Sequence, residues 1–371
     1  MIKIKGGIDV KEIVNIAIIG CGGIANGKHM PSLKRLEGVH MVAFCDIIVE
    51  RAEKAKDEFG TSDARVYKDY KELLENEPDV DAVHVCTPNR SHSYISIDAM
   101  ESGKHVMCEK PMAKTYQDAL AMCEAAKRTG KKLTIGYQNR FRKETQYLHQ
   151  LCADGELGEI YFAKAHAVRR RAVPNWGVFL NEEEQGGGPL IDIGTHALDL
   201  TLWMMNNYKP LYVAGNAYHK LADTPNAANA FGPWKPEEFK VEDSAFGFIT
   251  MENGATIVLE SSWALNILDT GEARTTLCGT KAGADMRNGL TINGEERSRL
   301  YEKNIELNMG GVAFYDSTDS DLDNDREAAH WINCLRTDGE VLVKPEEALI
   351  VTRILEGIYK SSQTKKPVYF S

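Results

Sequence analysis

The 371-residue sequence lacks the features that mark membrane and nucleic-acid-binding proteins. It has no apolar stretch long enough to span a bilayer and no long run of Lys or Arg. A formal net charge of -10 and a pI near 5.6 argue against a nucleic-acid footprint. Met1 to Val10 carry charges and glycines where a signal peptide would need an apolar core. We therefore expect a cytoplasmic protein that binds neither nucleic acid nor membrane.

Disulfide and zinc motifs are also missing. The eight cysteines include no C-x-x-C pair. Four of them lie in or beside apolar, strand-like runs: Cys21, Cys45, Cys86 and Cys108. This favours buried, reduced thiols over disulfides or zinc ligands. The composition, 43% hydrophobic and 26% charged, is that of an ordinary globular chain, and the length is typical of two domains.

The first half begins with an apolar strand that runs into a glycine-rich turn. Ile13 to Ile19 precede a G-x-G-x-x-A pattern made of Gly20, Cys21, Gly22, Gly23, Ile24 and Ala25. The first glycine permits a tight turn, the second lets a pyrophosphate approach the backbone, and the small last residue lets helix and strand pack. The pattern predicts a dinucleotide-binding turn.

The second predicted strand, Val39 to Cys45, ends on Asp46. An acid in this place typically binds the ribose 2′-hydroxyl of a dinucleotide. Ile47 and Ile48 offer nothing to a 2′-phosphate, and Asp46 would repel one, so NAD is favoured over NADP. The alternative is that Asp46 is the N-cap of the next helix.

Strands and helices continue to alternate up to residue 138. The predicted helices are Glu50 to Phe59, Asp69 to Glu75, Ser93 to Ser102 and Thr115 to Thr129, and the predicted strands are Ala82 to Cys86, Lys104 to Cys108 and Lys132 to Tyr137. Successive βαβ units with short loops imply a doubly wound parallel sheet. We predict an NAD-binding Rossmann domain over residues 1–138.

One of these strands ends abruptly in Glu109, Lys110 and Pro111. Lys110 is then expected at the carboxyl edge of the sheet, where open parallel sheets bind ligands. An ammonium group there could polarise a hydroxyl or carbonyl oxygen. The alternative is that Glu109 and Lys110 are a solvent-exposed pair at the end of the strand.

The second half, residues 139–371, has a different pattern. We predict a helix over Arg142 to Ala153, a strand over Glu159 to Arg171, a hairpin of Ser244 to Met251 with Thr256 to Ser262, and helices over Arg326 to Arg336 and Pro345 to Thr364. These elements predict an α+β domain with an open, mostly antiparallel sheet and helices on one face. The segment 222–240, which contains Phe231 and Trp234, is long enough to be a lid, a binding loop or a subunit contact.

A second polar cluster follows the glycines at 186–188. Asp192 and His196 lie four residues apart, on one face of a predicted helix. A carboxylate in this position can hold one ring tautomer and orient the imidazole as a general base. A metal site with Asp199 is a weaker alternative, because the set is poor in His and Cys. Another alternative is that His196 is a structural histidine within the helix packing.

These motifs together resemble the glucose-fructose oxidoreductase, inositol dehydrogenase and rhizopine-catabolism family, known as Gfo/Idh/MocA. The segments that carry the resemblance are Gly20 to Ala25, Cys86 to His92, Glu109 to Pro111 and Gly188 to His196. The resemblance implies a Rossmann domain followed by an open-sheet domain used for subunit contacts, hence a homodimer or homotetramer. It also implies NAD(P)-dependent oxidation or reduction of one hydroxyl of a sugar or polyol.

The resemblance further assigns site residues. Lys110, Asp192 and His196 occupy the catalytic positions, and the positions that line the nicotinamide are Thr87, Asn89, His92, Glu109 and Gln138. As a hypothesis, His196 removes the hydroxyl proton, Lys110 stabilises the alkoxide, and Asp192 orients the imidazole or the substrate.

The end of the predicted strand Glu159 to Arg171 and the residues after it are candidates for substrate binding. Arg169 and Arg171 would share one face of that strand beside Trp176, an arrangement suited to a polyhydroxylated ring, unless the arginines form ion pairs. The run Arg169 to Gly177 is similar to family members that oxidise the 3-hydroxyl of glucosides, which implies a cofactor that stays tightly bound. An inositol dehydrogenase, an NAD-dependent glycoside hydrolase and a non-catalytic NAD or sugar sensor remain alternatives.

Overall fold

The structure is a computed structural model that describes residues 2–3, 9–307 and 322–370. Its internal contacts divide the chain into two compact units. The first comprises Met1–Gln138 and Ser320–Leu349, and the second comprises Asn139–Asp319 and Ile350–Ser371. Within the described ranges, no helix is long and apolar enough to cross a membrane.

The first unit is built on a six-stranded parallel sheet in the order β5-β4-β3-β6-β7-β8. The strands of the whole unit are β1 (Ile2–Lys3), β2 (Asp9–Val10), β3 (Val14–Ile19), β4 (Val39–Cys45), β5 (Arg65–Tyr67), β6 (Ala82–Val85), β7 (His105–Cys108) and β8 (Leu133–Ile135). Its first helices are α1 (Met30–Lys34), α2 (Val49–Phe59), α3 (Tyr70–Asn76), α4 (His92–Glu101) and α5 (Tyr116–Thr129). The predicted doubly wound parallel sheet is therefore confirmed, and β1 with β2 forms a small separate pair.

Local sequence signals account for several helix ends in this unit. The side chains of Asp69 and Thr115 accept hydrogen bonds from backbone N–H groups at the starts of α3 and α5. Gly130 ends α5 with φ +66°, a left-handed conformation that glycine adopts at low cost. Because β3 to β8 run parallel, their carboxyl ends all lie at the same edge of the sheet.

The second unit contains a nine-stranded sheet in the order β16-β15-β14-β13-β9-β12-β11-β10-β17. Its strands are β9 (Ile160–Val168), β10 (Pro210–Tyr218), β11 (Ser244–Met251), β12 (Thr256–Ser262), β13 (Gly271–Gly279), β14 (Ala282–Asp285), β15 (Leu290–Glu296), β16 (Arg299–Ile305) and β17 (Val368–Tyr369). The later helices of the chain are α6 (Lys143–Ala153), α7 (Glu182–Gln185), α8 (Thr195–Met205), α9 (Asp323–Thr337) and α10 (Pro345–Thr364). Only β9 and β12 pair in parallel, so the predicted mostly antiparallel sheet is confirmed.

Short helical turns interrupt both units at the positions of the sequence motifs. One π-helical turn (Ala25–His29) follows the glycine-rich turn, and another (Leu190–Gly194) leads into α8. The 3₁₀ turns are Asn89–Ser91, Gln138–Phe141 and Pro236–Glu238. Because π-helical turns are rare and concentrate at functional sites, both stretches are candidates for binding or chemistry.

The predicted continuous second domain, 139–371, needs a correction. The chain returns to the first unit late, because α9 packs into the first core through Ala328, Trp331 and Ile332, beside Ile16 and Met30. The amphipathic pattern of α9 was visible in the sequence. Periodicity tells which face of a helix is buried but not which core receives it.

The predicted strand Glu159 to Arg171 is also too long. β9 ends at Val168, and Arg171 makes only an isolated bridge with Ala264. Arg169 and Arg171 therefore do not share one face of a strand. The hairpin of β11 and β12 matches the prediction residue for residue, with Gly254 at φ +87° in its turn.

Candidate functional site

The glycine-rich turn contains glycines of two kinds. Gly20 has φ +93°, and a Cβ built on it would lie 2.7 Å from the carbonyl carbon of Cys86, so its own chain requires glycine there. Gly22 and Gly23 lie outside the left-handed region, and a Cβ on either would meet no atom within 4 Å. The protein itself does not need glycine at these two positions. The bare backbone does fit the close approach of a pyrophosphate, as a dinucleotide site requires.

Asp46 joins the end of β4 to this turn. Its carboxylate accepts hydrogen bonds from the backbone N–H of Cys21 at 2.9 Å and of Ile48 at 2.8 Å. Ile48, not Asp46, is the N-cap residue of α2, so the capping alternative is wrong. Each carboxylate oxygen can accept a further hydrogen bond, which fits a ribose hydroxyl. Ile47 beside it is 79% exposed and has no group that could bind a 2′-phosphate.

His92 ties two strand ends together. Its ring nitrogens lie 2.8 Å from the carbonyl oxygen of Thr87, after β6, and 2.8 Å from that of Pro111, after β7. The Thr87 hydroxyl accepts a hydrogen bond from Ser91, and Asn89 is buried in the same turn. These contacts tie His92 to the sheet edge, and its predicted place beside the nicotinamide stays a prediction.

Glu109 anchors the backbone of Lys110. Its Oε2 accepts a hydrogen bond from the Lys110 N–H at 3.0 Å, and its Oε1 lies 2.8 Å from both Lys28 Nζ and His29 Nε2. Burial would raise the pKa of Glu109, but Lys28 and His29 outweigh it and hold that pKa well below its usual range. Glu109 is therefore an ionised, buried carboxylate. Lys110 follows it at the sheet edge, half-buried, with a cis peptide bond to Pro111.

The network around Glu109 was not predicted from the sequence. Lys28 also binds Glu327 of α9 at 2.9 Å and lies 3.4 Å from Gln138 Oε1, and His29 Nδ1 lies 3.0 Å from His84 Nδ1. The available signal was an adjacent Lys-His pair directly after the glycine-rich turn. Nothing in that pair reveals that it is buried or that its partners come from β7 and from a helix three hundred residues later.

In the second unit, Asp192 and His196 lie on the helical stretch formed by the π-turn and α8. Asp192 Oδ2 accepts a hydrogen bond from the indole N–H of the buried Trp263 at 3.0 Å, and His196 is 8% exposed. A Cβ on Gly194 would lie 2.9 Å from Ser261 Oγ. The glycine thus lets this stretch pack closely on β12, which carries Ser261 and leads to Trp263.

A second buried glutamate holds the start of this stretch. Glu242 accepts hydrogen bonds from the N–H groups of Gly188 at 2.8 Å and Leu190 at 3.1 Å, and from the Tyr359 hydroxyl at 2.8 Å. A Cβ on Gly187 would lie 2.0 Å from the Tyr359 oxygen. Gly187 is therefore needed for close packing at this point. Burial raises the pKa of Glu242 to about 7, although these hydrogen bonds oppose the rise.

The two proposed substrate residues differ in their surroundings. Arg169 forms an ion pair with Glu272, with Nε 2.6 Å and Nη2 3.0 Å from its carboxylate, and also donates to the Ala172 carbonyl at 3.0 Å. The ion-pair alternative therefore describes Arg169. Trp176 is 50% exposed.

Asp199, which would complete the alternative metal site, has a different partner in the structure. Asp199 forms a buried ion pair with Arg140, with the closest atoms 2.6 Å apart. Within the described ranges, no group of three or more His, Cys, Asp or Glu residues could hold a metal ion.

The first unit has the fold and turn of a dinucleotide-binding domain, and the second unit supplies a histidine beside a carboxylate. This combination defines a nicotinamide-dependent oxidoreductase. The chain belongs to the oxidoreductase family GFO_IDH_MocA. The NAD-binding Rossmann model of that family matches residues 14–137, and its C-terminal alpha/beta domain model matches residues 149–370.

Named relatives match between about half and nearly all of the chain. A D-glucoside 3-dehydrogenase from Escherichia coli is 36% identical over 354 residues, which is 95% of this chain and 96% of that protein. An inositol 2-dehydrogenase from Salmonella typhimurium is 29% identical over 53% of this chain and 56% of its own length. The solved aldose-aldose oxidoreductase from Caulobacter crescentus, complexed with glycerol, is 25% identical with a TM-score of 0.77, covering 96% of this chain and 100% of that one.

Proposed function

We propose that the protein oxidises the 3-hydroxyl of a glucoside to a 3-keto-glucoside, with NAD as the hydride acceptor. The observation that carries the proposal is the 36% identity to a D-glucoside 3-dehydrogenase along 95% of the chain. The residues that the chemistry needs are present in both units. The buried Glu109 anchors Lys110, and Trp263 holds Asp192 one helical turn from His196.

Three side chains divide the proton chemistry in this proposal. His196 takes the proton of the substrate hydroxyl, and a positioned base contributes about 10²-fold or more to the rate. Lys110 stabilises the developing alkoxide, for which a preorganised cation contributes on the order of 3 kcal/mol. Asp192 orients the imidazole or the sugar. Bound NAD supplies the hydride acceptor, and Gly22, Gly23 and Asp46 would hold its pyrophosphate and ribose.

Product analysis tests the proposal. The purified protein is mixed with methyl β-glucoside, glucose or myo-inositol, with and without added NAD. We expect the absorbance band of reduced nicotinamide, and a product of methyl glucoside that is two hydrogens lighter, with NMR placing the carbonyl at C3. Free sugar and methanol without net redox would indicate a hydrolase instead. Oxidation of myo-inositol alone would indicate an inositol dehydrogenase.

A Lys110→Ala variant tests the assigned mechanism. It should lose nearly all turnover, by at least about 10²-fold, because the alkoxide loses its cation. NAD binding, measured as a rise in the melting temperature, should persist. A variant that kept most of the wild-type rate would contradict the role of Lys110.

We also propose that NAD remains bound between turnovers. A glucoside would then reduce the cofactor and a ketosugar would reoxidise it, so that hydrogen passes between two sugars without added NAD. Mass spectrometry of the purified protein under native conditions would detect the retained cofactor. Removal of NAD by simple gel filtration, with full recovery of activity only when NAD is added, would contradict this part of the proposal.

The cellular setting and assembly are further parts of the proposal. All eight cysteines are outside disulfides, which fits a reducing cytoplasm. We expect a homodimer or homotetramer, which light scattering after gel filtration would distinguish from a monomer.

A further inference from the structure

Three aromatic side chains of the second unit form an accessible cluster, here called the aromatic platform: Trp176, Phe179 and Phe231. Trp176 and Phe231 are 50% and 48% exposed, and their ring centroids lie 4.7 Å apart in an edge-to-face arrangement. Phe179 is half-buried, with its centroid 5.7 Å from that of Trp176. Large apolar rings that are grouped and accessible to solvent are typical of binding surfaces.

The backbone around the platform is fixed by side-chain hydrogen bonds. The amide of Asn175 donates to the carbonyl of Phe231 at 3.0 Å. Asn229 accepts from the N–H of Val173 at 2.8 Å and donates to its carbonyl at 2.9 Å. These contacts hold the segment 222–240 against the segment that carries Trp176. The two exposed rings are therefore preorganised, which lowers the entropy cost of binding an apolar group.

The far end of the loop is anchored in the interior. Trp234 is buried, and its indole N–H donates to the Ala222 carbonyl at 2.8 Å. The buried Asp243 accepts hydrogen bonds from the N–H groups of Leu221 at 2.6 Å and Ala222 at 3.0 Å. Trp234 and Phe231 thus have different roles in the loop. Trp234 anchors the loop, and Phe231 is presented at the surface.

The platform is linked to Asp192, the proposed catalytic carboxylate, through Trp263. The ring of Phe179 lies 6.4 Å from that of Trp263, and the Trp263 indole donates to Asp192 at 3.0 Å. Two aromatic contacts therefore separate the exposed Trp176 from Asp192. A ligand with its sugar at Asp192 and His196 could place a substituent on the platform.

We propose that the aromatic platform is a subsite for an apolar, uncharged aglycone, preferably an aromatic one, on the glucoside that the enzyme oxidises. This inference rests on the proposed function and adds the part of the substrate that does not react. Aromatic rings supply apolar contact area and edge-to-face or offset-stacked contacts to an aromatic partner. The charge of Arg169 is compensated by its ion pair with Glu272, and the Arg171 guanidinium donates a hydrogen bond to Asn266.

The test compares phenyl β-glucoside with methyl β-glucoside, which differ only in the aglycone. We expect wild-type kcat/KM to be higher for the phenyl compound. In Phe231→Ala, the ratio of phenyl to methyl kcat/KM should fall about tenfold, while the methyl value stays within about threefold of wild type, and in Trp176→Ala the same ratio should also fall about tenfold. Trp176→Phe should retain most of the preference. Phe248→Ala is the matched control, because Phe248 is an equally exposed aromatic, 45%, on β11 outside the platform.

Two outcomes would overturn the inference. One is an unchanged ratio in both folded alanine variants. The other is an equal loss for both substrates, which would place Trp176 and Phe231 in the sugar site.

Failure of the proposed function gives a different result. Wild-type protein would then oxidise neither glucoside. The subsite would still be measured by tryptophan fluorescence titration with phenyl β-glucoside. Binding that is tighter than for methyl β-glucoside, and about tenfold weaker in Phe231→Ala, would support the subsite. Equal affinity for the two compounds would reject it.

Discussion

Two buried glutamates show how single residues hold this site, and their environments differ in charge. Glu109 lies against the ammonium of Lys28, which keeps its pKa low despite burial. Glu242 accepts hydrogen bonds from neutral groups, among them the N–H groups of Gly188 and Leu190 and the Tyr359 hydroxyl, and burial raises its pKa to about 7. Each glutamate fixes the backbone close to a residue that we propose to be catalytic, Lys110 for Glu109 and Asp192 for Glu242.

The raised pKa of Glu242 predicts a pH-dependent stability. The folded protein binds this proton more tightly than the unfolded chain, whose glutamate titrates near 4.5. The stabilisation is present below that pH and is lost as the pH rises through about 7. Urea unfolding at a series of pH values should show that Glu242→Gln removes a dependence on the order of 3 kcal/mol across this window.

An exposed glutamate of the same unit provides the control. Glu237→Gln should leave the pH dependence of stability unchanged, because the Glu237 carboxylate is exposed. Glu242→Gln should also lower kcat, because the Gln amide places N–H groups against the N–H groups of Gly188 or Leu190 and disturbs the stretch that carries Asp192. Wild-type and Glu242→Gln proteins with parallel stability curves would show that Glu242 does not titrate in this range.

At the scale of elements, the glycine-rich turn carries two separable requirements. Gly20→Ala should destabilise the fold by about 2 kcal/mol or more, because it puts a Cβ at φ +93° against the Cys86 carbonyl. Gly22→Ala should leave stability nearly unchanged, since its Cβ meets nothing within 4 Å, but should weaken NAD binding by about tenfold or more. Thermal unfolding and isothermal titration with NAD measure the two effects separately. Equal NAD affinity in Gly22→Ala and wild type would mean that the pyrophosphate lies elsewhere.

Elements with a strong local signal could be predicted, and the others could not. The first strand with its glycine turn, the end of the second strand at Asp46, and the hairpin at Asn253-Gly254 are each encoded within a short stretch of sequence. β13 to β16 were missed, because this stretch is rich in glycine and charge and because β16 is almost entirely exposed. The support for Lys110 was also missed. Lys28 and His29 are far from Glu109 in the sequence but contact it in the fold. Glu327, farther still along the chain, joins this network through Lys28.

At the scale of the whole molecule, the chemistry is divided between the two units. The dinucleotide turn, Asp46 and Lys110 belong to the first, and Asp192, His196 and the aromatic platform belong to the second. The order of motifs along the chain predicts these roles, and they stay predictions. It was not enough to show that α9 returns to the first unit, since a buried helix face can pack on either core.

This division makes a prediction about linkage between NAD binding and folding. After retained NAD has been removed, NAD at about 100 times its Kd should stabilise wild-type protein by about 2.7 kcal/mol, seen as a higher melting temperature. His196→Ala should keep this rise although it loses turnover, because the groups that bind the dinucleotide in the first unit are intact. Asp46→Ala should lose most of it, because the ribose loses its acceptor and the turn loses the hydrogen bond from Cys21. If His196→Ala abolished the NAD-induced rise while Asp46→Ala kept it, the cofactor would depend on the second unit, and the assignment of NAD to the glycine-rich turn would be wrong.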